Sequence, residues 1–166
     1  MRVVVLADTH VRAAAAGPRL PGPVYRDLRR ADVILHAGDV VDAGLLAELG
    51  AFAPVFAVLG NNDRDLVDDL PPTLELELGG VPVAMIHDSG ARDGRAARMH
   101  RRFPDARLVV YGHSHQPEDR IGEGRQRLFN PGSPMQRRRA AHRSYGVVGL
   151  ANGRVTSHRI VEIPTG

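Results

Sequence analysis

The chain has 166 residues, 22 basic and 19 acidic side chains, a formal net charge of +3 and no cysteine. Disulfides, thiolate metal sites and a cysteine nucleophile are therefore excluded, and any metal must be held by imidazole, carboxylate, amide or water. The length suits one domain over residues 1–166 with a substantial core, while the near balance of charge and a complement of only three tyrosines and four phenylalanines argue against a nucleic-acid binder.

The chain opens on MRVVVLAD, which reads as a strand with no leader-like basic and apolar segment, and no run reaches membrane-spanning length. A cytoplasmic protein with no membrane association is expected. Apolar runs at Val3 to Ala7, Val33 to His36, Val55 to Leu59, Val83 to Ile86 and Leu108 to Tyr111 predict strands. They alternate with Val24 to Arg30, Gly44 to Gly50 and Asp93 to Phe103, which predict helices. That is an α/β pattern. From Leu74 the LELELGGVPV stretch alternates strictly about a Gly-Gly turn and predicts an antiparallel hairpin. RLFNPGS and SYGVVGLANGRVTSHRIVEI predict further strands, with Asn152-Gly153 as a tight turn. Arg12 to Pro23 and Gln116 to Gly124 are predicted loops. Every basic residue is arginine, and the one dense run, Arg137 to Arg139 with Arg143 nearby, reads as a solvated face.

Polar residues gather where the apolar runs stop. VVVLADTH ends in Asp8 and His10, VILHAGD in Asp39, FAVLGNND in Asn61, Asn62 and Asp63, VAMIHD in His87, and LVVYGHSH in His113 and His115. Each has an ordinary explanation taken alone: a helix cap for Asp8, a turn for Asp39, a polar loop for Asn61 to Asp63. Their recurrence at five strand ends does not, because the carboxyl ends of parallel strands line one edge where ligands bind. Aspartate, asparagine and histidine form a mixed nitrogen and oxygen donor set, suited to Mn, Fe, Zn, Co or Ni rather than calcium. In an extended segment, Asp8 and His10 would point to the same side, as would His113 and His115. His36, His100, His142 and His158 read as structural or exposed.

The ordered series D-x-H (Asp8, His10), G-D (Gly38, Asp39), G-N-x-D (Gly60, Asn61, Asp63), a later His87 and G-H-x-H (Gly112, His113, His115) resembles the calcineurin-like metallophosphoesterase superfamily. The short length and the N-P-G-S at Asn130 to Ser133 resemble its small YfcE/Vps29-like phosphodiesterase group. The resemblance implies an α/β fold, a four-layer α-β-β-α sandwich of two mixed sheets flanked by helices. It implies two divalent transition-metal ions, Mn2+ foremost, with Ni2+, Fe2+, Co2+ and Zn2+ as alternatives. Asp8, His10, Asp39 and His115 would hold one, and Asp39, Asn61, His87 and His113 the other, with Asp39 as the bridge. The implied activity is a phosphodiesterase using metal-activated water on a small phosphodiester or nucleotide. Asp39, Asn61, Asp63 and His87 are the residues expected to carry catalysis, Asp63 by orienting its neighbours through hydrogen bonds. The alternative implied by the same group is a protein-binding scaffold of the Vps29 type, and a homo-oligomer is left open. Two departures stand out. Asn62 occupies a position that is often histidine and cannot donate a proton as a general acid. In IHDSG, Asp88 and Ser89 replace the glycine and second histidine of H-G-H, and Asp88 is expected to cap a helix starting near Gly90.

Overall fold

The computed structural model of the protein describes residues 1–11 and 19–164. Along them run β1 (Arg2–Leu6), α1 (Gly22–Leu28), β2 (Val33–His36), α2 (Ala43–Gly50), β3 (Val55–Ala57), β4 (Thr73–Leu78), β5 (Val81–Ile86), α3 (Arg95–Arg102), β6 (Leu108–Val110), β7 (Glu118–Ile121), β8 (Arg127–Asn130), β9 (Arg143–Ala151) and β10 (Arg154–Ile163). Two mixed sheets result, ordered β10-β9-β1-β2-β3 and β4-β5-β6-β8-β7.

The continuous apolar runs are explained by layers on both faces of each sheet. In β1, Val3 and Val5 point into a core shared between the sheets with Leu35, Met85, Val110 and Phe129. Val4 and Leu6, on the opposite face, pack with Val24 and Leu28 of α1 and Leu45 and Leu49 of α2. The second sheet buries Ala84, Val109 and Leu128 against Met99 and Phe103 at α3. The order helix, sheet, sheet, helix is the four-layer α-β-β-α sandwich that the resemblance implied. β1, β2 and β3 are mutually parallel, as are β5, β6 and β8, so the loops that leave β1, β2 and β3 start from one edge of their sheet.

The predicted hairpins are present, and Asn152 and Gly153 take φ of 51° and 69°, the handedness that matches strand twist. Three expectations are corrected. Gln116 to Gly124 is not wholly a loop: Glu118 to Ile121 form β7, paired antiparallel with β8, followed by a short 3-10 turn at Glu123–Arg125. The EDRI sequence carries charges because β7 lies at the sheet edge, where charge blunts further pairing. The third helix begins at Arg95 and is preceded by Gly94, without a side-chain cap. Asp88 instead accepts from the Gly90 N–H at 2.7 Å in a local turn. Of the predicted Arg12 to Pro23 loop, residues 12–18 lie outside the described residues, and Gly22 and Pro23 already belong to α1.

Gly146, in the middle of β9, lies close against Phe129 of the second sheet. A Cβ there would lie 2.4 Å from Cε1 of Phe129 and 3.1 Å from Cβ of Val5. Gly146→Ala is therefore expected to cost about 1–3 kcal/mol by overpacking, read by urea unfolding. Combined with Phe129→Leu, which removes the opposing ring, it should cost less than the sum of the two single changes. Strict additivity would contradict this account of the glycine.

Candidate metal centre

The loops leaving β1, β2, β3, β5 and β6 bring all seven predicted metal ligands together. Asp8, Asp39, His87 and His115 form a buried floor, His10 is half-buried, and Asn61 and His113 are exposed at the rim. On one side, Nε2 of His10 and Nε2 of His115 are 3.1 Å apart, and His115 Nε2 is 3.5 Å from Oδ1 of Asp8. On the other, Oδ1 of Asn61 lies 3.1 Å from Nε2 of His87 and 3.0 Å from Nδ1 of His113. Between them, Oδ2 of Asp39 is 3.5 Å from His10 Nε2 and 3.4 Å from His87 Nε2. Ligand atoms of Asp8, His10 and His115, and separately those of Asp8, Asp39 and His87, are close enough to converge on one ion.

The convergence is not a product of strand alternation. β1 ends at Leu6 and β6 at Val110, and Asp8, His10, Asp39, His113 and His115 all lie on left-handed backbone, with φ between 47° and 67°. The expectation that Asp8 and His10, or His113 and His115, meet through extended chain is corrected accordingly. Such backbone is unfavourable for residues with a Cβ and persists where surrounding contacts over-determine it. Those contacts are visible. Asp63 Oδ2 accepts from the N–H groups of Asp39 at 2.9 Å and Gly60 at 2.7 Å, while Oδ1 accepts from Val41 at 2.7 Å. Asp63 thus faces backbone and sets the Asp39 turn. Gly60 sits so close to that turn that a Cβ would come 2.1 Å from the Asp39 nitrogen.

Several positioning groups carried only a partial signal in the sequence. Asn62, notable for what it lacks, donates from its backbone N–H to Asp39 Oδ1 at 2.8 Å and from its side chain to Oδ2 at 2.7 Å. N-P-G-S proves to be a buried brace. Asn130 donates to the Gly112 carbonyl at 3.0 Å, and Ser133 donates to the Asp8 carbonyl at 2.7 Å. Backbone carbonyls fix the imidazole orientations: Nδ1 of His87 donates to Ala37 at 2.7 Å and Nδ1 of His115 to Gln136 at 2.8 Å, which turns each Nε2 toward the cluster. Of the four histidines read as structural or exposed, His36 is fully buried and bonded to Thr9 at 3.0 Å. His158 pairs with Asp119 and His142 with Glu162. Arg137, Arg138 and Arg139 are exposed, and the Arg138 charge acts on Asp8, His10 and His115.

The electrostatics suit a cation. Burial pushes the Asp8 carboxyl up to about 7, and its Oδ2 is buried with no hydrogen-bond partner among the described residues. Burial pushes His115 down to about 4 and lowers His10, so both imidazoles are neutral and have lone pairs to offer. Asp39 is pushed up by burial, but bonds from His87 and Asn62 outweigh this and hold it well below the usual carboxylate range. His87 shows the reciprocal balance, with burial opposing and Asp39 and the Ala37 carbonyl raising it. An orphaned buried carboxylate oxygen beside two neutral imidazole nitrogens is a donor set that a divalent cation satisfies.

The pH dependence of the chelator-treated protein follows. Folding suppresses protonation of His10, of His36, which burial holds at about 3, and of His115. The unfolded chain therefore binds more protons below the ordinary histidine value, and stability rises with pH from about 4 to 6.5. Asp8 acts in the opposite sense: its stabilising proton, fully present below 3.8, is lost as pH rises through about 7. Thermal midpoints measured in chelator should climb across this window, and more steeply in Asp8→Asn. A falling midpoint would contradict the neutral-imidazole assignment.

The calcineurin-like phosphoesterase superfamily domain model matches residues 1–153. A curated protein of Methanothermobacter thermautotrophicus named "Probable metallophosphoesterase" is 34% identical over 136 residues, covering 81% of this chain and 77% of its own. The solution structure of Thermotoga maritima protein TM1076 superimposes with a TM-score of 0.72 at 30% identity, covering 98% of this chain and 99% of that one. Vps29 of Entamoeba histolytica, crystallised with zinc, shares the fold with a TM-score of 0.75 at 20% identity over 98% of both chains. With the motif residues assembled at the strand ends of both sheets and the match running through nearly the whole chain, the protein belongs to the calcineurin-like phosphoesterase superfamily, with structural neighbours of the YfcE/Vps29 type.

Proposed function

We propose that the protein is a metal-dependent phosphodiesterase with a dinuclear centre. The observation that carries this reading is the place of Asp39 Oδ2, nearly equidistant from His10 Nε2 and His87 Nε2 at 3.5 and 3.4 Å. Asp8, His10, Asp39 and His115 would hold one ion and Asp39, Asn61, His87 and His113 the other, with Mn2+ the foremost candidate. When bound, the two ions supply activation of water and neutralisation of charge on the phosphoryl oxygens.

The chain's own groups then set the terms of the reaction. Asp63 and Asn62 fix the orientation of Asp39, so that both of its oxygens stay aligned. His115 and His87 are locked by backbone carbonyls and spend no rotational freedom on binding. The Asn62 amide is committed to Asp39 and has no proton to give a departing alkoxide. Substrates with good leaving groups, or with protonation by solvent, fit this arrangement. The positive charge of Arg138 at the edge of the cluster favours an anionic phosphoester.

A scaffold of the Vps29 type is the second reading. The retained donor set favours catalysis, since a scaffold has no use for orphaned buried carboxylate. Among the described residues, the exposed large apolar side chains are Met1, Val67 and Ile121, one from each of three separate segments, as ordinary surfaces carry.

Metal titration of chelator-stripped protein by calorimetry, with hydrolysis of bis-p-nitrophenyl phosphate followed in parallel, tests the assignment. Wild type should bind two Mn2+ and turn over the diester. Asp39→Asn should lose both ions and all turnover, while His113→Ala should weaken chiefly the second ion and slow turnover by tenfold or more. Equal metal loss in the two variants would refute the bridging role of Asp39. In addition, Asp63→Asn replaces one acceptor by an NH2 group facing a buried backbone N–H. It should cost about 1–3 kcal/mol in urea unfolding and weaken metal binding without removing a ligand.

A further inference from the structure

We propose that the cavity beside His10 and Asn62 seats the second ester arm of the substrate, and that this arm is a nucleoside carrying no further phosphate. The inference rests on the phosphodiesterase reading and names its substrate class. The cavity measures about 820 Å3, toward the upper end of small-molecule sites. A phosphate held at the ligand cluster would border it only at His10 and Asn62 and leave the remainder free for an organic group.

The walls follow directly from the site motifs. Val41 and Ala43 come from the segment after Asp39, which runs into α2. Arg64 and Leu66 come from the 3-10 turn after Asp63, and Gln136 closes the side next to His115. Val41 and the exposed Ala43 offer an apolar surface for a flat ring, backed by the buried Leu66. The exposed Arg64 guanidinium is planar and stacks on aromatic faces. The exposed carboxylates of Asp65 and Asp69 line the same cavity. As acceptors they suit ribose hydroxyls and base N–H groups, and as anions they repel a second phosphate. The third acidic residue, Asp42, is already engaged by Arg19 at 2.9 Å and by the N–H of Gly44. Apolar wall, stacking cation and acceptors unshared among the described residues together describe a neutral nucleoside better than a lipid chain, which would leave the carboxylates unused, or a polyphosphate, which they would oppose.

The test is equilibrium binding by calorimetry in the presence of Mn2+, using two monoanionic phosphonate esters whose alkoxide leaving groups are poor: thymidine 5'-methylphosphonate and ethyl methylphosphonate. Wild type should bind the thymidine ester at least tenfold more tightly. Ala43→Phe, at an exposed position in the first turn of α2, narrows the cavity without replacing a ligand residue. It should erase that preference and leave the affinity for the ethyl ester unchanged. A 3'-phosphorylated thymidine ester should bind more weakly than its parent. Equal affinity for the thymidine and ethyl esters, a preference that survives Ala43→Phe, or tighter binding of the 3'-phosphorylated ester would each overturn the proposal. Bis-p-nitrophenyl phosphate separates the two levels. Turnover of that diester with unselective phosphonate binding defeats the cavity assignment alone, whereas selective binding without turnover defeats the hydrolase reading and leaves a nucleoside-phosphate binding site.

Discussion

The carboxylate of Asp63 accepts three backbone N–H groups, those of Asp39, Gly60 and Val41, and the centre depends on this clamp. Asp39 occupies left-handed backbone, as do Asp8, His10, His113 and His115, at a cost on the order of 1–2 kcal/mol for each. Left to local preference these turns would relax and the donors would splay apart. Braces between loops prevent it. Asp63 joins the β2 and β3 loops, Ser133 holds the Asp8 carbonyl, the His113 N–H donates to Asp8 Oδ1, and Asn130 holds Gly112. Strain in each loop is thus balanced by hydrogen bonds to another, and stability and function share one network.

Electrostatics impose a second constraint on the same atoms. Two carboxylates, Asp8 and Asp39, are buried within one cluster, and the protein divides the burden unequally. Asp39 receives two hydrogen bonds from Asn62, lies 3.4 Å from His87 and stays ionised, while Asp8 is left with an oxygen unpartnered among the described residues and a raised carboxyl. His10 and His115 remain neutral because burial disfavours their charge. A bound cation would satisfy all these groups together, which is why the donor set is better explained by metal than by a hydrogen-bonded polar core.

Much of the architecture was legible in the sequence because burial on both faces makes strands read as continuous apolar runs. The seven side chains that gather at the candidate centre were legible too, since they fall where those runs stop. What escaped the sequence has physical reasons. β7 is charged and acquires its strand conformation from pairing with β8 rather than from its own propensity. The left-handed turns at Asp8, His10, Asp39, His113 and His115 belong to residue types that adopt such backbone more often than other non-glycine residues but still in a small minority of cases, so composition alone gives no warning. Asp88 looked like a helix cap because helix onset is poorly marked when Gly94 precedes it with no capping side chain. Asn62 was notable only for the proton it lacks, whereas its amide orients Asp39. N-P-G-S could be read as a turn, yet its brace on Asp8 spans 125 positions of sequence, a separation no local pattern encodes.

The central claim is that two ions share Asp39. Anomalous diffraction from crystals grown with saturating Mn2+ tests it most directly. The account predicts two peaks roughly 3.5–4 Å apart, one among Asp8, His10 and His115 and one among Asn61, His87 and His113, with the Asp39 carboxylate between them. A single peak, or two peaks with Asp39 touching only one, would contradict it.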